Sequence, residues 1–440
     1  MKIHWRGSDW LSLSVLSVFL LGCPPQVEKT VTETSPSAEE STSAESSSPE
    51  LTAPESPQAA ETAQAPAVAE KADDPAVVKT LTDAGVIFKK DAAGNVTAAD
   101  CKHAAITDDL LKLFPSLPQL NTLSLENSQV TNDGLKTLEF LPQLVDLSLR
   151  RCTEIDDSGL VSLKFVPHLQ RLRLLFTRIT SAGLEHVSQL HDLKLLDLRA
   201  CPQIGDAGLV HLEGLKDLVD VKLRSFFVTD VGMKSLAKLT KLRVLSLEDC
   251  GVGNAGMAEL VTLKDLRSLN LMRTVVGDQG IANFAEMKLV DLSLRDTAVT
   301  GPGLDALTTA HETLVALDLS ETRIDNDGVT HIAPFKKLQV LNLWNGSLDD
   351  DGLKSLADLN ELKDLNLEGC RMITSASAEQ LATFSQLTKL NLAETGFDNA
   401  GLQGLSGLSK LKLLNLARSG VTDEAGQEFA KSHPGCEVKM

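Results

Sequence analysis

Cys152, Cys201, Cys250 and Cys370 each stand eight residues after a leucine that returns every 23 to 25 positions. A thiol can cross-link, bind a metal or attack an electrophile, so the recurrence needs an explanation. No Cys lies within ligand spacing of another. Thr177, Thr274, Thr297, Thr322 and Thr395 fill the same slot elsewhere. Cys152, Cys201 and Cys250 fall in alternate units, about 10 Å apart at the strand spacing and beyond disulfide reach, which predicts reduced, buried thiols. His186, His211 and His331 share another slot, three residues after a recurrent Gly. Only two of them fall in adjacent units, and a metal site needs three or four ligands, so solvated helix histidines are expected. Asp325-Asn-Asp327-Gly328 and Asp349-Asp-Asp351-Gly352 look like the start of a calcium loop. They lack the downstream acidic ligand, and helix capping explains them. No nucleophile elbow, phosphate-binding glycine loop or HExxH is present. The residue types point away from an enzyme, a cofactor, a metal or a small-molecule substrate.

The elements that carry these residues are repeats. The pattern LxxLxL recurs thirteen times from Leu120 to Leu411, with a degenerate unit at Val96. Within a unit, Leu123 and Leu125 alternate with polar neighbours at strand period two. Leu135, Leu138 and Leu141 follow at helical spacing, behind Asp133 and Gly134. One such unit cannot bury its leucines alone; stacking seals them between neighbours. Gly134 has counterparts in nearly every unit, from Gly159 to Gly426, with Ser377 in the unit of Leu362. Close approach between coils and a special dihedral both explain such a glycine.

The turn motifs Val-Thr-Asn-Asp-Gly-Leu and Ile-Gly-Asp-Ala-Gly-Leu resemble the cysteine-containing, GALA-like subclass of leucine-rich repeats, over residues 84 to 440. The resemblance implies an α/β solenoid: a curved horseshoe of about 14 coils with a parallel sheet on the concave face and short helices outside. It also implies protein binding, in some members as substrate receptors of ubiquitin ligases. Those adaptors carry an F-box ahead of the repeats, where this chain has an acidic linker, so the ligase role does not carry over. Residues 76–95 and the alternating tail Cys436-Glu-Val438-Lys-Met440 are expected to cap the stack.

Residues two, four and six after each first leucine should face the concave surface. In the four units from Leu144 to Leu218 these include Arg150, Arg171, Arg173, Arg199, Lys222 and Arg224, against three acids. Phe176 and Phe226 lie close by. The patch suits an acidic protein partner, or it pairs internally along the row Arg173, Asp197, Lys222. Met272, Arg295 and Trp344 occupy the sixth position further on, and Trp is a frequent hot-spot residue. Asn342, Asn366, Asn391 and Asn415 form a polar row that either meets a ligand or ladders with itself.

Two segments precede the repeats. Residues 1–23 read as an export signal: Lys2 and Arg6, then a short apolar run ending Leu20-Leu21-Gly22-Cys23. That ending resembles the lipobox of bacterial lipoproteins, with Leu21 as a departure, and implies lipid attachment at Cys23. Residues 24–75 carry 8 of the 16 prolines and a charge of −9, too polar to bury a core. They read as a linker reaching on the order of 40 Å.

The 440 residues carry 42 basic and 60 acidic side chains, a net charge of −18 that disfavours nucleic acid. The whole reads as an exported, lipid-anchored protein that displays a recognition scaffold in the periplasm or at the cell surface. Two other readings stay open: a self-associating envelope component, and an adaptor bringing substrates to an enzyme.

Overall fold

The structure is a computed structural model that describes residues 72–440. The export signal, the attachment residue Cys23 and nearly all of the linker lie outside the described residues. Among the described residues no helix is long and apolar enough to cross a membrane.

Sixteen strands follow one another in chain order in a single sheet. Ile87–Lys90 pairs antiparallel with Val96–Asp100, across Gly94 at φ +92°. From there to Glu437–Lys439 neighbouring strands run parallel, one per repeat. Leucine stacks on leucine in this register: Leu123, Leu147, Leu172 and Leu196 are successive partners. Leu120, Leu123, Leu125, Val130, Leu135, Leu138 and Leu141 of one coil are all buried, so the core is a column of aliphatic layers. This is the α/β solenoid that the repeat spacing predicts.

The outer layer is thin. Its helices run three to seven residues, and Gly134–Phe140 is 3-10 helix throughout. Packed helices need about 8–10 Å of width, against about 4.8 Å for a strand. Single turns relieve that mismatch. Only the end helices Pro75–Asp83 and Asp423–Ser432 are longer. Asp74 caps the first of these, and Asp73 accepts the Val96 amide at 2.6 Å. The described body thus takes in two carboxylates that composition alone gave to the linker.

The recurrent glycine is explained by close approach. None of its occurrences has a positive φ. At Gly134, Gly183 and Gly303 an added Cβ would lie 2.1–2.3 Å from a carboxylate oxygen of the preceding coil. That carboxylate is a clamp between coils. Asp157 accepts from the amide and hydroxyl of Thr180 at 2.7 and 2.6 Å. Asp278 does the same to Thr300, and Asp350 to Thr374. Asp133, just ahead of its helix where a cap is expected, makes no side-chain cap bond. The true caps are residues such as Asp325, Asp349 and Thr229 just before the helix.

A second recurrent feature is a left-handed residue seven positions after the first leucine. Asn127, Arg151, Phe176, Ala200, Asp249, Arg273, Asp296, Glu321, Asn345, Glu394 and Arg418 all have φ between +50° and +63°, and Gly369 has +74°. The turn from strand to outer layer is made there. The coil of Leu218 lacks it: Ser225 already occupies the Cys/Thr slot, and its hydroxyl bonds the Ile204 carbonyl at 2.6 Å.

Candidate recognition surface on the open sheet face

Burial decides the chemistry of the cysteines. Cys101, Cys152, Cys201, Cys250, Cys370 and Cys436 are buried free thiols. Cys152, Cys201 and Cys370 each bond a carbonyl of the preceding coil at 3.1 Å, whereas Thr177 or Thr274 in the same slot bonds within its own coil. Burial pushes the thiols of Cys101, Cys250 and Cys370 up to about 12, so they are unreactive at neutral pH.

The histidines are half-buried rather than solvated, which corrects the sequence expectation. His331 packs against Gly301 and meets Asp305 at 2.7 Å. The acidic motifs are engaged with backbone: Asp325 accepts from Gly328 N, Asp349 from Asp351 N, and Asn326 bridges to Asp349. Among the described residues no group of three His, Cys, Asp or Glu is placed to hold a metal.

The strands and their ends place the predicted basic residues, Met272 and Trp344 on the open face, whereas Phe176 stands at the left-handed turn under Arg151, and the basic residues named are paired. Arg150 meets Glu126 at 3.0 Å, and Arg171 and Arg173 share Asp146 at 2.7 and 2.5 Å. Arg199 holds Asp197 at 2.8 Å, and Lys222 holds Asp220 at 3.1 Å. Arg224 meets Asp249 at 2.5 Å, and Arg273 also binds Asp249. Arg173, Asp197 and Lys222 do stand in one row. Their ion pairs, however, run within strands or to the coil before, not along that row. Glu126, Glu248 and Asp249, just outside the four coils, neutralise the local positive excess. The carboxylates of these pairs are largely buried and the cations about a third exposed, so the attraction mostly offsets desolvation and the pairs set side-chain positions more than stability.

Beyond the ladder, Met272, Arg295 and Trp344 come from the strand ends of three coils. The Arg295 guanidinium lies 4.6 Å over the Trp344 ring and is held by Glu321 at 2.9 Å. The intervening Ser320 is fully buried and small, which lets Arg295 span its coil. Trp344 thus packs under Arg295. Close to Arg295, Asp318 lies on the sheet face, with Asp291 a strand away; burial pushes both carboxyls up and each raises or feels the other. The asparagine row neither ladders nor stands free. Asn342, Asn366, Asn391 and Asn415 each accept the amide two residues on in their own strand.

Sequence reasoning missed the left-handed turn and the clamp. Both had a signal, a mixed Asn/Asp/Arg/Glu column and a repeated Asp or Asn ahead of the glycine, that reads from one unit as ordinary turn and cap chemistry.

Residues 238–261 and 310–333 match the family model described as leucine-rich repeat. Comparison with curated proteins finds no match. Among solved structures, an internalin from Listeria monocytogenes is similar at 19% identity, covering 82% of this chain and 92% of its own, with a TM-score of 0.49. A leucine-rich-repeat protein from Leptospira interrogans is similar at 18% identity, covering 76% and 88%, with a TM-score of 0.42. Neither likeness bears on function.

Proposed function

We propose that this leucine-rich-repeat solenoid is a protein-recognition scaffold held at a membrane by a lipid on Cys23. The observation that carries the reading is the Arg295–Trp344 stack. Trp and Arg dominate binding energy where they are held rigid in a partly desolvated setting. Here Glu321 and the ring fix the guanidinium in advance, so binding it costs little side-chain entropy. The charge ladder from Arg150 to Arg224 forms an equally ordered polar rim, and Met272 adds a flexible apolar contact between the two.

The test uses the full chain in membranes, with photo-crosslinking to any bound protein. Trp344→Ala with Arg295→Ala should lower the yield of the crosslinked species about tenfold or more, which is about 1.4 kcal/mol of affinity. Charge reversal at Arg173 and Arg199 should have the smaller effect, because Asp146 and Asp197 already neutralise them. Undiminished crosslinking in the Trp344/Arg295 variant would remove the open face as the site.

The anchor rests on the sequence ending Leu20-Leu21-Gly22-Cys23. Cys23→Ala should move the protein from the membrane fraction to the soluble fraction, with loss of incorporated labelled fatty acid. A variant that stays equally membrane-bound would end the anchoring reading.

A further inference from the structure

A second surface lies on the edge of the solenoid where strands turn into the outer layer. In the coil of Leu218 the left-handed residue is missing, Ser225 takes the buried slot one position early, and Phe226 and Phe227 follow at the tip of the turn. Phe226 is 76% exposed and Phe227 65%. Val231, opening the helix of the same coil, is 67% exposed, and Val275, two coils on, is 70% exposed. Single exposed apolar residues need no explanation, but a group in one place does.

Glycine on both sides leaves these side chains standing clear. A Cβ at Gly205 would lie 3.1 Å from the Phe227 Cβ, and one at Gly251 would lie 2.7 Å from the Phe226 carbonyl. Gly253 gives room to Val275, whose Cγ2 would be 3.4 Å from a Cβ there. The carboxylates of Asp206 and Asp230 are turned to the amides of Thr229 and Gly253. The strip is therefore apolar, and the charges beside it are engaged, since Asp249 is paired with Arg224 and Arg273.

Further along the same edge the character changes. Asp296, Asp325 and Asp327 are exposed and make no ion pair among the described residues; Asp325 accepts from Gly328 N, and the exposed cation Arg323 stands in the same coil, so the stretch keeps a net negative charge. They begin three to four coils past Phe226, about 15–20 Å away at the strand spacing. Residues 76–440 as a whole carry −10. That charge opposes a second copy of the chain and an anionic lipid surface alike.

We infer that this edge binds a protein segment carrying large apolar side chains with lysine or arginine to one side of them. The apolar part covers Phe226, Phe227 and Val275, and the basic part meets the carboxylates of the later coils. The site is separate from the open face, so it stands whether or not the Arg295–Trp344 reading holds.

The probe is a phage-displayed library of random dodecapeptides, panned on the full chain. Enriched peptides should share two or more large apolar residues with Lys or Arg to one side of them. Their synthetic versions should bind at least tenfold more weakly to Phe226→Ser/Phe227→Ser and to Val275→Ser, and more weakly as salt rises. Trp344→Ala should leave them unaffected. Because the three side chains are exposed, melting of the variants should match the parent. Enriched peptides without that pattern, or equal binding to both edge variants, overturn the inference. So does self-association in sedimentation, or flotation with anionic vesicles, that the Phe226→Ser/Phe227→Ser change abolishes.

Discussion

Gly232→Ala lowers the stability of the array by about 2–4 kcal/mol, although Ala is the better helix former by about 1 kcal/mol. The new methyl group would lie 2.5 Å from Asp206 Oδ1 and 2.7 Å from the buried Leu209 Cδ1. Neither can retreat cheaply. Asp206 accepts from Thr229 N, Thr229 Oγ1 and Gly232 N at 2.8, 2.6 and 3.0 Å. Moving it breaks a clamp of charge-assisted bonds, and moving Leu209 disturbs a close-packed layer. Gly214→Ala is the control, since nothing lies within 4 Å of a Cβ there. Urea unfolding should place Gly214→Ala within about 0.5 kcal/mol of the parent. Asp206→Ala with Gly232→Ala should cost less than the sum of the two single changes, because they share the clamp. Equal stability of the two glycine variants would show that the coils separate freely at this point.

The repeat logic was legible because each leucine answers to one constraint, burial between neighbours. Leu123 and Leu147 need only be apolar and alternate with polar residues, and that is visible in one dimension. The glycine column was visible too, but its cause was not. Gly134 meets Asp108, 26 positions earlier, and only three dimensions show that a carboxylate sits where a Cβ would go. The open-face residues were assigned to the right face by alternation, yet their partners were not. Arg173 was matched with Asp197 along a row, but its reach back to Asp146 depends on rotamers that spacing does not encode. The pairing of Arg295 with Trp344 needed a third residue, Ser320, to be small. The aromatic edge was half seen. Phe226 stood out by type, while the one-residue shortening at Ser225 that presents it shows only when the left-handed column is laid over all the coils.

Phe335→Ala costs about 3–5 kcal/mol, the range for removing a fully buried aromatic side chain. Its slot closes the outer layer of the coil of Leu314, three residues after the buried Ile332. In the preceding coil the matching residue, three after Leu307, is Ala310, also fully buried. A small residue on one coil is thus matched by a large one on the next. His311, beside Ala310, meets the Phe335 ring edge-on at a centroid separation of 4.8 Å. Truncating Phe335 leaves a void that Ala310 is too short to fill and removes the ring on which His311 rests. Ala310→Leu alone overpacks the same space, at about 1–3 kcal/mol. Ala310→Leu with Phe335→Leu restores the leucine found at this slot in most other coils and should cost less than the two changes added. Because each coil touches only its neighbours, the damage from Phe335→Ala is confined at first. Hydrogen exchange should quicken in the strands Asp291–Ser293 and Val340–Asn342 while Thr122–Ser124 keeps its protection. Uniform loss of protection from end to end would mean the array unfolds as one unit, and the nearest-neighbour account would have to be given up.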